Sequence, residues 1–263
     1  MIRPALLALA FAGCSTTEGP AVVAAEAPAA APTTPAPATS AAEPAPSEIT
    51  VHGALREMMH MGKIQRRVDL APMVGSTGLY GLGALEELSG EVTIWDGEMW
   101  ISKPDGQGAA THGQVPQTSD GATLLVSTTV KAWQERPIAE AVPFAQLDAF
   151  IEAQAKAAGI DTSEAFPFRI ESSPSRLDWH VIDGSKIPKD SHGHEVHMRT
   201  AVRGTLKPGA VEILGFYSPK HHAIFTHHDT NTHAHVIARD QGITGHVDHV
   251  DLAAGGKLFL PAP

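Results

Sequence analysis

The sequence THAHVIARDQGITGH, residues 232–246, has the pattern of two β-strands joined by a tight turn. Side chains alternate between the faces of a strand, so His233 and His235 point the same way if this stretch is extended. Residues 240–242, Asp-Gln-Gly, are typical of a turn. A hairpin that turns there brings His246 to within about one position of the point opposite His235. The stretch therefore predicts β-structure on which three histidines converge.

Three converging imidazoles are typical of a catalytic zinc site, because three protein ligands leave a position open for water or substrate. The spacing of His233, His235 and His246 therefore predicts metal ligation, but it does not name a reaction. A cupin offers a similar His-X-His signature on a β-barrel. Cupins usually place a glutamate four or five residues after the second histidine, where this chain has Arg239 and Asp240. The cupin interpretation is therefore the weaker one.

The composition describes a globular protein with a substantial core. The chain has 263 residues, of which 43% are hydrophobic and 18% charged, and its formal net charge is −10. This charge argues against nucleic acid as a partner, because phosphates require a basic surface. The 15 histidines are an unusual surplus, and imidazole is the commonest protein ligand for metals.

The N-terminus resembles a bacterial lipoprotein signal peptide over residues 1–13. Arg3 precedes an apolar run at residues 5–12, and Gly13 and Cys14 follow it. In such signals the cysteine becomes the lipid-modified first residue of the mature protein. Phe11 departs from the usual leucine, and the alternative is a chance cysteine in an ordinary signal peptide. The only membrane contact that we expect is a lipid anchor on Cys14, which predicts a cell-envelope protein on the periplasmic or extracellular face.

Two further segments follow from composition. Residues 14–48 are almost entirely Ala, Pro, Thr, Ser and Glu, which predicts a disordered Ala/Pro-rich tether. Residues 49–263 form the predicted folded domain.

The pattern within this domain is mostly β with a few helices. Apolar spacing predicts helices at residues 51–61 and 144–158. Asp96-Gly97 is a strong type I′ hairpin signal between two of the predicted strands. The predicted strands cover residues 91–95, 98–102, 123–130, 166–171, 177–182, 197–206 and 211–217, followed by the histidine hairpin. The helix at 144–158 could separate two β-rich halves.

Several motifs resemble the α-acetolactate decarboxylase family. The stretch GLGALEELSGEVTIWDGE at residues 81–98 is similar to the glycine-rich opening of that family. RGTL at 203–206 and GFYSP at 215–219 are similar to the family's approach to its metal site. The spacing of His-X-His and a histidine eleven positions later is that of the family's zinc triad. The resemblance covers roughly residues 50–252, and its motifs are specific in combination.

The resemblance implies a fold and a chemistry. It implies an α/β fold, more narrowly a β-rich α+β fold, with two β-sheet-containing halves and the metal site between them. His233, His235 and His246 would bind Zn²⁺, and Glu91 matches the family's active-site glutamate, where it could handle a proton. The family decarboxylates α-acetolactate to acetoin, with zinc as a Lewis acid that stabilises the enediolate formed as CO₂ leaves.

Three positions depart from the family's pattern. Ala84 stands where the family has an active-site threonine. The family's active-site arginine falls at His180, and Arg176, four residues earlier, is the alternative, so both are candidate catalytic residues. The family's C-terminal tail returns a glutamate to the zinc, whereas no acid follows Asp251 here.

The remaining histidines have two interpretations. His221, His222, His227 and His228 lie in the loop that leads into the triad, and His192, His194 and His197 form a second cluster. Both groups are either solvated loop residues or accessory metal ligands. His249 falls on the opposite strand face from His246 and is left out of the site.

The sequence thus predicts zinc-dependent decarboxylation of α-acetolactate or a related 2-hydroxy-3-oxo acid to acetoin. The alternative is a non-catalytic, cell-envelope metal-binding lipoprotein on the same scaffold. The expected partner is a small hydroxy-keto acid, and whether the chain forms a homodimer stays open.

Overall fold

The computed structural model describes residues 48–188 and 193–262. The predicted signal peptide, Cys14 and nearly all of the predicted tether lie outside the described residues. Within the described ranges, every helix is too short or too polar to cross a bilayer.

The first half of the domain forms one antiparallel sheet of seven strands. These are β1 (Thr50–His52), β2 (Val68–Asp69), β3 (Leu79–Leu85), β4 (Glu91–Trp95), β5 (Glu98–Pro104), β6 (Ala110–Val115) and β7 (Gly121–Thr129). The strand order is β1-β7-β3-β4-β5-β6, with β2 also paired to β7. Asp96 and Gly97, between β4 and β5, have φ angles of 52° and 80°. Since a type I′ turn needs positive φ at both central residues, the predicted hairpin is confirmed.

The second half forms an antiparallel sheet of eight strands. These are β8 (Trp133–Pro137), β9 (Phe166–Ser172), β10 (Arg176–Val181), β11 (Val202–Thr205), β12 (Val211–Tyr217), β13 (Thr232–Ala238), β14 (Ile243–Asp251) and β15 (Lys257–Pro261). The order is β11-β10-β14-β13-β12-β9-β15-β8. The predicted β-rich fold with two sheet-containing halves is confirmed. The division falls between β7 and β8 rather than at the 144–158 helix, because β8 pairs with β15 at the edge of the second sheet.

Helices are few and short. They are α1 (Leu55–Met61), α2 (Leu147–Ala157) and α3 (His194–Thr200), with 3₁₀ turns at Ala71–Met73, Glu86–Leu88, Phe144–Gln146, Gly184–Lys186 and Arg239–Gln241. The predicted helix at 51–61 begins only at Leu55, since residues 50–52 pair with β7 as strand β1. Gly53 separates the two elements with a φ of 77°, and a Cβ there would lie 2.1 Å from the carbonyl oxygen of Thr123.

The predicted strand at 197–206 is wrong over its first half. Residues 194–200 form α3, whose sequence HEVHMRT contains the good helix formers Glu195, Met198 and Arg199. Strand pairing with β10 begins only at Val202, which lies opposite Val181. The helix therefore ends just before the chain joins the edge of the sheet.

The core lies on both faces of the second sheet. On its inner face, Leu214, Phe216 and Ile237 pack in one cluster with Tyr80 and Trp95 of the first sheet. The outer face packs against α2, and alternate residues of β13 such as Val236 belong to that second cluster. Because side chains alternate, the odd-numbered residues of β13 face the first sheet. This alternation directs two of the predicted histidine ligands between the sheets.

Candidate metal centre

The three predicted histidine ligands converge in the interior. His233 and His235 lie on β13, and His246 lies directly opposite His235 on β14, which confirms the predicted hairpin register. All three side chains are buried, and one ring nitrogen from each lies within 4.8 Å of the other two. Nε2 of His233 is 3.1 Å from Nδ1 of His246. Tetrahedral zinc sets its ligand nitrogens about 3.3 Å apart, so this spacing suits one ion.

One ring nitrogen of His235 contacts a threonine hydroxyl, and the other has no hydrogen-bond partner among the described residues. Its Nδ1 lies 3.0 Å from the hydroxyl oxygen of Thr93, on β4 of the first sheet. Its Nε2 is buried without a hydrogen-bond partner. A buried nitrogen of this kind is costly unless it is paired or binds a metal. The unpaired Nε2 of His235, beside the imidazoles of His233 and His246, therefore fits a role as a ligand of a zinc ion.

The environment keeps the triad in its ligand form. Burial lowers the pKa of His233 and His246 well below the usual value, and neighbouring histidines lower it further. Burial, and then His180, lowers the pKa of His235 to about 3. All three imidazoles are neutral at physiological pH, and neutral imidazole is the state that binds metal.

Glu91 approaches the triad from the opposite sheet. Its side chain is buried on β4, and Oε2 lies 3.8 Å from Nε2 of His235. Oε1 accepts a hydrogen bond from the backbone N–H of Ile182 at 3.2 Å. Burial raises the pKa of Glu91 well above its usual range, Ile182 opposes that rise, and Asp248 adds to it. A dication in the triad would favour the carboxylate instead.

His180 joins the same cluster. It lies on β10 opposite His246 of β14, and His246 is itself opposite His235, so three neighbouring strands carry a row of histidines. Nδ1 of His180 lies 2.7 Å from Oδ1 of Asp248. The second oxygen of Asp248 lies 3.7 Å from Nη1 of Arg203.

Arg176 is not brought to the cluster. It lies at the far end of β10, opposite Asp251. Its side chain is exposed and forms an ion pair with Asp178. Four residues along a strand separate it from His180 by about 13 Å. Of the two candidates for the arginine position, the structure thus places only His180 beside the triad.

A small pocket connects these groups. It encloses about 50 Å³ of free space, and Glu91, His180, His233 and His246 contribute its polar wall. The apolar wall comes from α1, β3 and the residues around them: Leu55, Met58, Met59, Ala84, Leu124 and Ile182. Ala84, which the family resemblance predicts to stand in place of a threonine, therefore faces the pocket. The C-terminal strand β15 lies between β9 and β8, and through Ala262 the tail adds no residue to this pocket.

The loop histidines divide into two groups. His221 is 2.7 Å from the hydroxyl of Ser218, and His222 is 2.8 Å from the side-chain oxygen of Asn231, so both have partners within the loop. His227 lines the pocket, and its ring centroid lies 5.5 Å from that of His246.

The second cluster also contributes to the pocket. His197 of α3 is buried and lines it, whereas His192 lies outside the described residues. His249 pairs with Asp251, as expected for a residue outside the triad. Sequence reasoning left His197 and His227 among ambiguous clusters, and only the packing of α3 and of the loop selects them.

The fold and the site together define a two-sheet, β-rich protein with a candidate histidine metal centre between the sheets. The family model described as alpha-acetolactate decarboxylase matches residues 52–259. The chain therefore belongs to the α-acetolactate decarboxylase family. No curated protein matches the sequence significantly.

Solved structures share the fold at low sequence identity. The α-acetolactate decarboxylase of Bacillus subtilis strain 168 is 16% identical with a TM-score of 0.61, and the match covers 82% of this chain and 86% of that one. A Staphylococcus aureus protein described as of unknown function and similar to α-acetolactate decarboxylase is 14% identical with a TM-score of 0.60, covering 81% and 84%. These similarities establish the fold alone.

Proposed function

We propose that this protein is a zinc-dependent decarboxylase that converts α-acetolactate, or a closely related 2-hydroxy-3-oxo acid, to acetoin or its homologue. The observation that carries the proposal is the position of Glu91. This buried acid comes from one sheet and lies 3.8 Å from the orphaned Nε2 of His235 in the other. Two of the triad histidines, His233 and His246, and the proton-carrying Glu91 therefore line the same small pocket, in a member of the α-acetolactate decarboxylase family.

His233, His235 and His246 would hold the zinc. When bound, zinc supplies a Lewis acid that stabilises the negative charge developing on substrate oxygens. With Nε2 of His235 as the ligand atom, Nδ1 would carry the proton and donate it to the hydroxyl of Thr93, which would hold the ring in that orientation.

Glu91 is placed to handle the proton. In the proposed reaction the bond between C2 and the carboxylate breaks, CO₂ leaves, and the electron pair spreads over C2 and the adjacent carbonyl. A proton must then reach C2, and Glu91 is the pocket's carboxylic acid. Solvent would return a proton to Glu91 after each turnover. The apolar wall beside it excludes bulk water and suits the two methyl groups of acetolactate.

The experiment measures metal content and acetoin on the full chain. We expect the wild type to bind one zinc and to form acetoin from racemic acetolactate. Glu91→Gln should keep zinc and lose about 10²–10⁴-fold in rate, and His235→Ala should lose both. His249→Gln is the matched control, since His249 lies on β14 but pairs with Asp251. Bound zinc without acetoin in the wild type would contradict the enzyme.

A second candidate function has a specific observation in its favour. The pocket is lined by Ala84 and His180, which the resemblance matches to a threonine and an arginine of the family, while His197 and His227 add further imidazoles. A cell-envelope metal-binding protein without turnover would fit this lining. Retention of several zinc ions per chain, with no acetoin formed, would favour it over the decarboxylase.

We also propose that the mature protein is anchored at the cell envelope through a lipid on Cys14. The apolar run at residues 5–12 before Gly13-Cys14, and the Ala/Pro-rich segment after it, support this location. Fatty-acid incorporation that is lost in Cys14→Ser would support the anchor. A mature N-terminus other than Cys14 would contradict it.

A further inference from the structure

The hydrogen bond between His180 and Asp248 fixes which nitrogen of His180 carries a proton. Nδ1 of His180 lies 2.7 Å from Oδ1 of Asp248. A carboxylate only accepts hydrogen bonds, so Nδ1 is the donor. In a neutral imidazole the other nitrogen, Nε2, is then an acceptor. His180 lines the pocket together with Glu91 and His246, and Nε2 is its ring nitrogen that Asp248 leaves available to a ligand.

The carboxylate is itself held in place. Asp248 follows His246 by two residues on β14, the strand that pairs with β10. Its second oxygen lies 3.7 Å from Nη1 of Arg203. Nε of Arg203 donates to the backbone carbonyl of Met198 at 3.3 Å, and Met198 also lines the pocket. One oxygen of Asp248 therefore pairs with Arg203, while the other orients His180 through a hydrogen bond.

We propose that Asp248 is a positioning residue that holds His180 as the neutral Nδ1–H form and so presents its Nε2 as a hydrogen-bond acceptor for the hydroxyl group of a 2-hydroxy acid. The inference rests on the proposed function, because it names the substrate group that the same pocket recognises. An arginine at this position could only donate hydrogen bonds. His180 held by Asp248 accepts one instead, so this pocket selects for the hydroxyl of the substrate.

The same groups have one competing explanation. Donor atoms of His180, His246 and Asp248 lie within 4.8 Å of one another, a spacing that could suit a second cation. The guanidinium of Arg203 beside Asp248 opposes that interpretation, because it already neutralises the carboxylate. Metal stoichiometry separates the two explanations.

The first test reads the tautomer of His180 by ¹⁵N NMR of histidine-labelled, zinc-loaded full chain. We expect the Nδ1–H form in the wild type and in Asp248→Asn, whose amide oxygen still accepts. Asp248→Ala should lose that form. Asp178→Ala is the matched control, since Asp178 is also a strand carboxylate paired with an arginine and its side chain is 20% exposed against 19% for Asp248. An Nε2–H tautomer or a doubly protonated His180 in the wild type overturns the proposal, even if Asp248→Ala does not fold.

The second test compares two inert ligands, 2-hydroxyisobutyrate and pivalate, which differ by a hydroxyl in place of a methyl group. We expect Asp248→Ala to reduce the preference for the hydroxy acid by about five- to tenfold, the typical effect of losing one hydrogen bond. Asp178→Ala and Asp248→Asn should keep most of that preference. An unchanged preference in Asp248→Ala overturns the proposal, as does the loss of a second bound zinc, which would make Asp248 a ligand.

The failure of this inference and of the proposed function would be distinguishable. Neither the tautomer nor the ligand preference depends on turnover of acetolactate. A wild-type protein that binds zinc and prefers the hydroxy acid, but forms no acetoin, would contradict the decarboxylase and support the role of Asp248.

Discussion

The hydroxyl oxygen of Thr93, on β4 of the first sheet, lies 3.0 Å from Nδ1 of His235, on β13 of the second. The same oxygen lies 3.3 Å from the hydroxyl of Thr244 on β14. One buried threonine thus connects the two sheets at the point where the candidate metal centre forms. Because a ligand histidine is oriented through its other ring nitrogen, Thr93 is expected to set the direction of Nε2.

Thr93→Val should weaken zinc binding by about tenfold while leaving the protein folded, because valine has the shape of threonine without the hydroxyl. The measurement is zinc affinity in competition with a chelator. Thr128→Val is the matched control, since Thr128 is equally buried but donates to the carbonyl of Glu48 at 3.0 Å instead. Equal affinities for the two variants would contradict the role of Thr93.

The contact from Thr93 shows why sequence reasoning found only part of the site. The register of His235 and His246 follows from one short turn, so it could be predicted from local pattern. Thr93 and His235 are 142 residues apart, and they meet only because two sheets pack face to face. Nothing in the local pattern of β4 distinguishes Thr93 from a buried strand residue.

The same reasoning explains the errors in secondary structure. Residues 50–52 pair with β7, more than seventy positions later, which overrides their apparent helical spacing. The 197–206 segment was expected to be extended, yet pairing partners exist only from Val202 onward. Asp248 was not predicted because its role depends on the pairing of β14 with β10, which lies 68 residues earlier. Glu91 was identified from family resemblance, and its burial and contacts come from the structure.

Gly97→Ala tests the hairpin that carries Glu91 and Thr93. Gly97 has a φ of 80°, and an added Cβ would lie 2.6 Å from the backbone oxygen of Ser76. We expect a loss of about 1–3 kcal/mol in the free energy of unfolding, measured by urea denaturation. Gly113→Ala, on β6, is the control, because a Cβ there meets nothing within 4 Å. An equal loss of stability in Gly97→Ala and Gly113→Ala would contradict the strain expected from the added Cβ at Gly97.

Arg169 links the two sheets through aromatic rings. Its guanidinium carbon lies 4.3 Å from the ring centroid of Trp95, 4.9 Å from Phe259, 5.2 Å from Trp133 and 5.7 Å from Tyr80. Only 15% of its side chain is exposed. A planar guanidinium can stack on several rings at once, whereas an ammonium group is compact and strongly hydrated.

Arg169→Lys should therefore lower the free energy of unfolding by about 1–2 kcal/mol although the charge is kept. Chemical denaturation measures the change. Arg136→Lys serves as the control, since Nε of Arg136 donates to a side-chain oxygen of Gln154. An unchanged free energy of unfolding in Arg169→Lys would contradict a stabilising interaction between the guanidinium and the rings.

His112 provides a pH-dependent contact between the sheets. It lies on β6, and its Nδ1–H donates to the backbone carbonyl of Thr244 on β14 at 2.8 Å. Its ring meets that of Trp179, on β10, edge-on at a centroid distance of 5.0 Å. Burial lowers the pKa of His112 below its usual 6.5, and the carbonyl of Thr244 partly opposes that effect.

The sign of the resulting pH dependence follows from linkage. Because the folded pKa is the lower one, the unfolded chain takes up this proton first as the pH falls below 6.5. Stability is therefore lost between 6.5 and the lowered folded pKa, while above 6.5 His112 is neutral in both states and contributes no pH dependence. His112→Gln keeps an N–H donor but cannot titrate in this range. Relative to the wild type, the variant should therefore gain stability on acidification.

Urea unfolding of both proteins from about pH 7.5 to about pH 5.5, at the same zinc concentration, measures this difference. Contributions from the triad histidines are common to both proteins and cancel when the two free energies of unfolding are subtracted. A difference that stays constant across this range would contradict the assignment. If the variant instead becomes more stable relative to the wild type as the pH falls below about 6.5, His112 is identified as a titrating contact between the sheets.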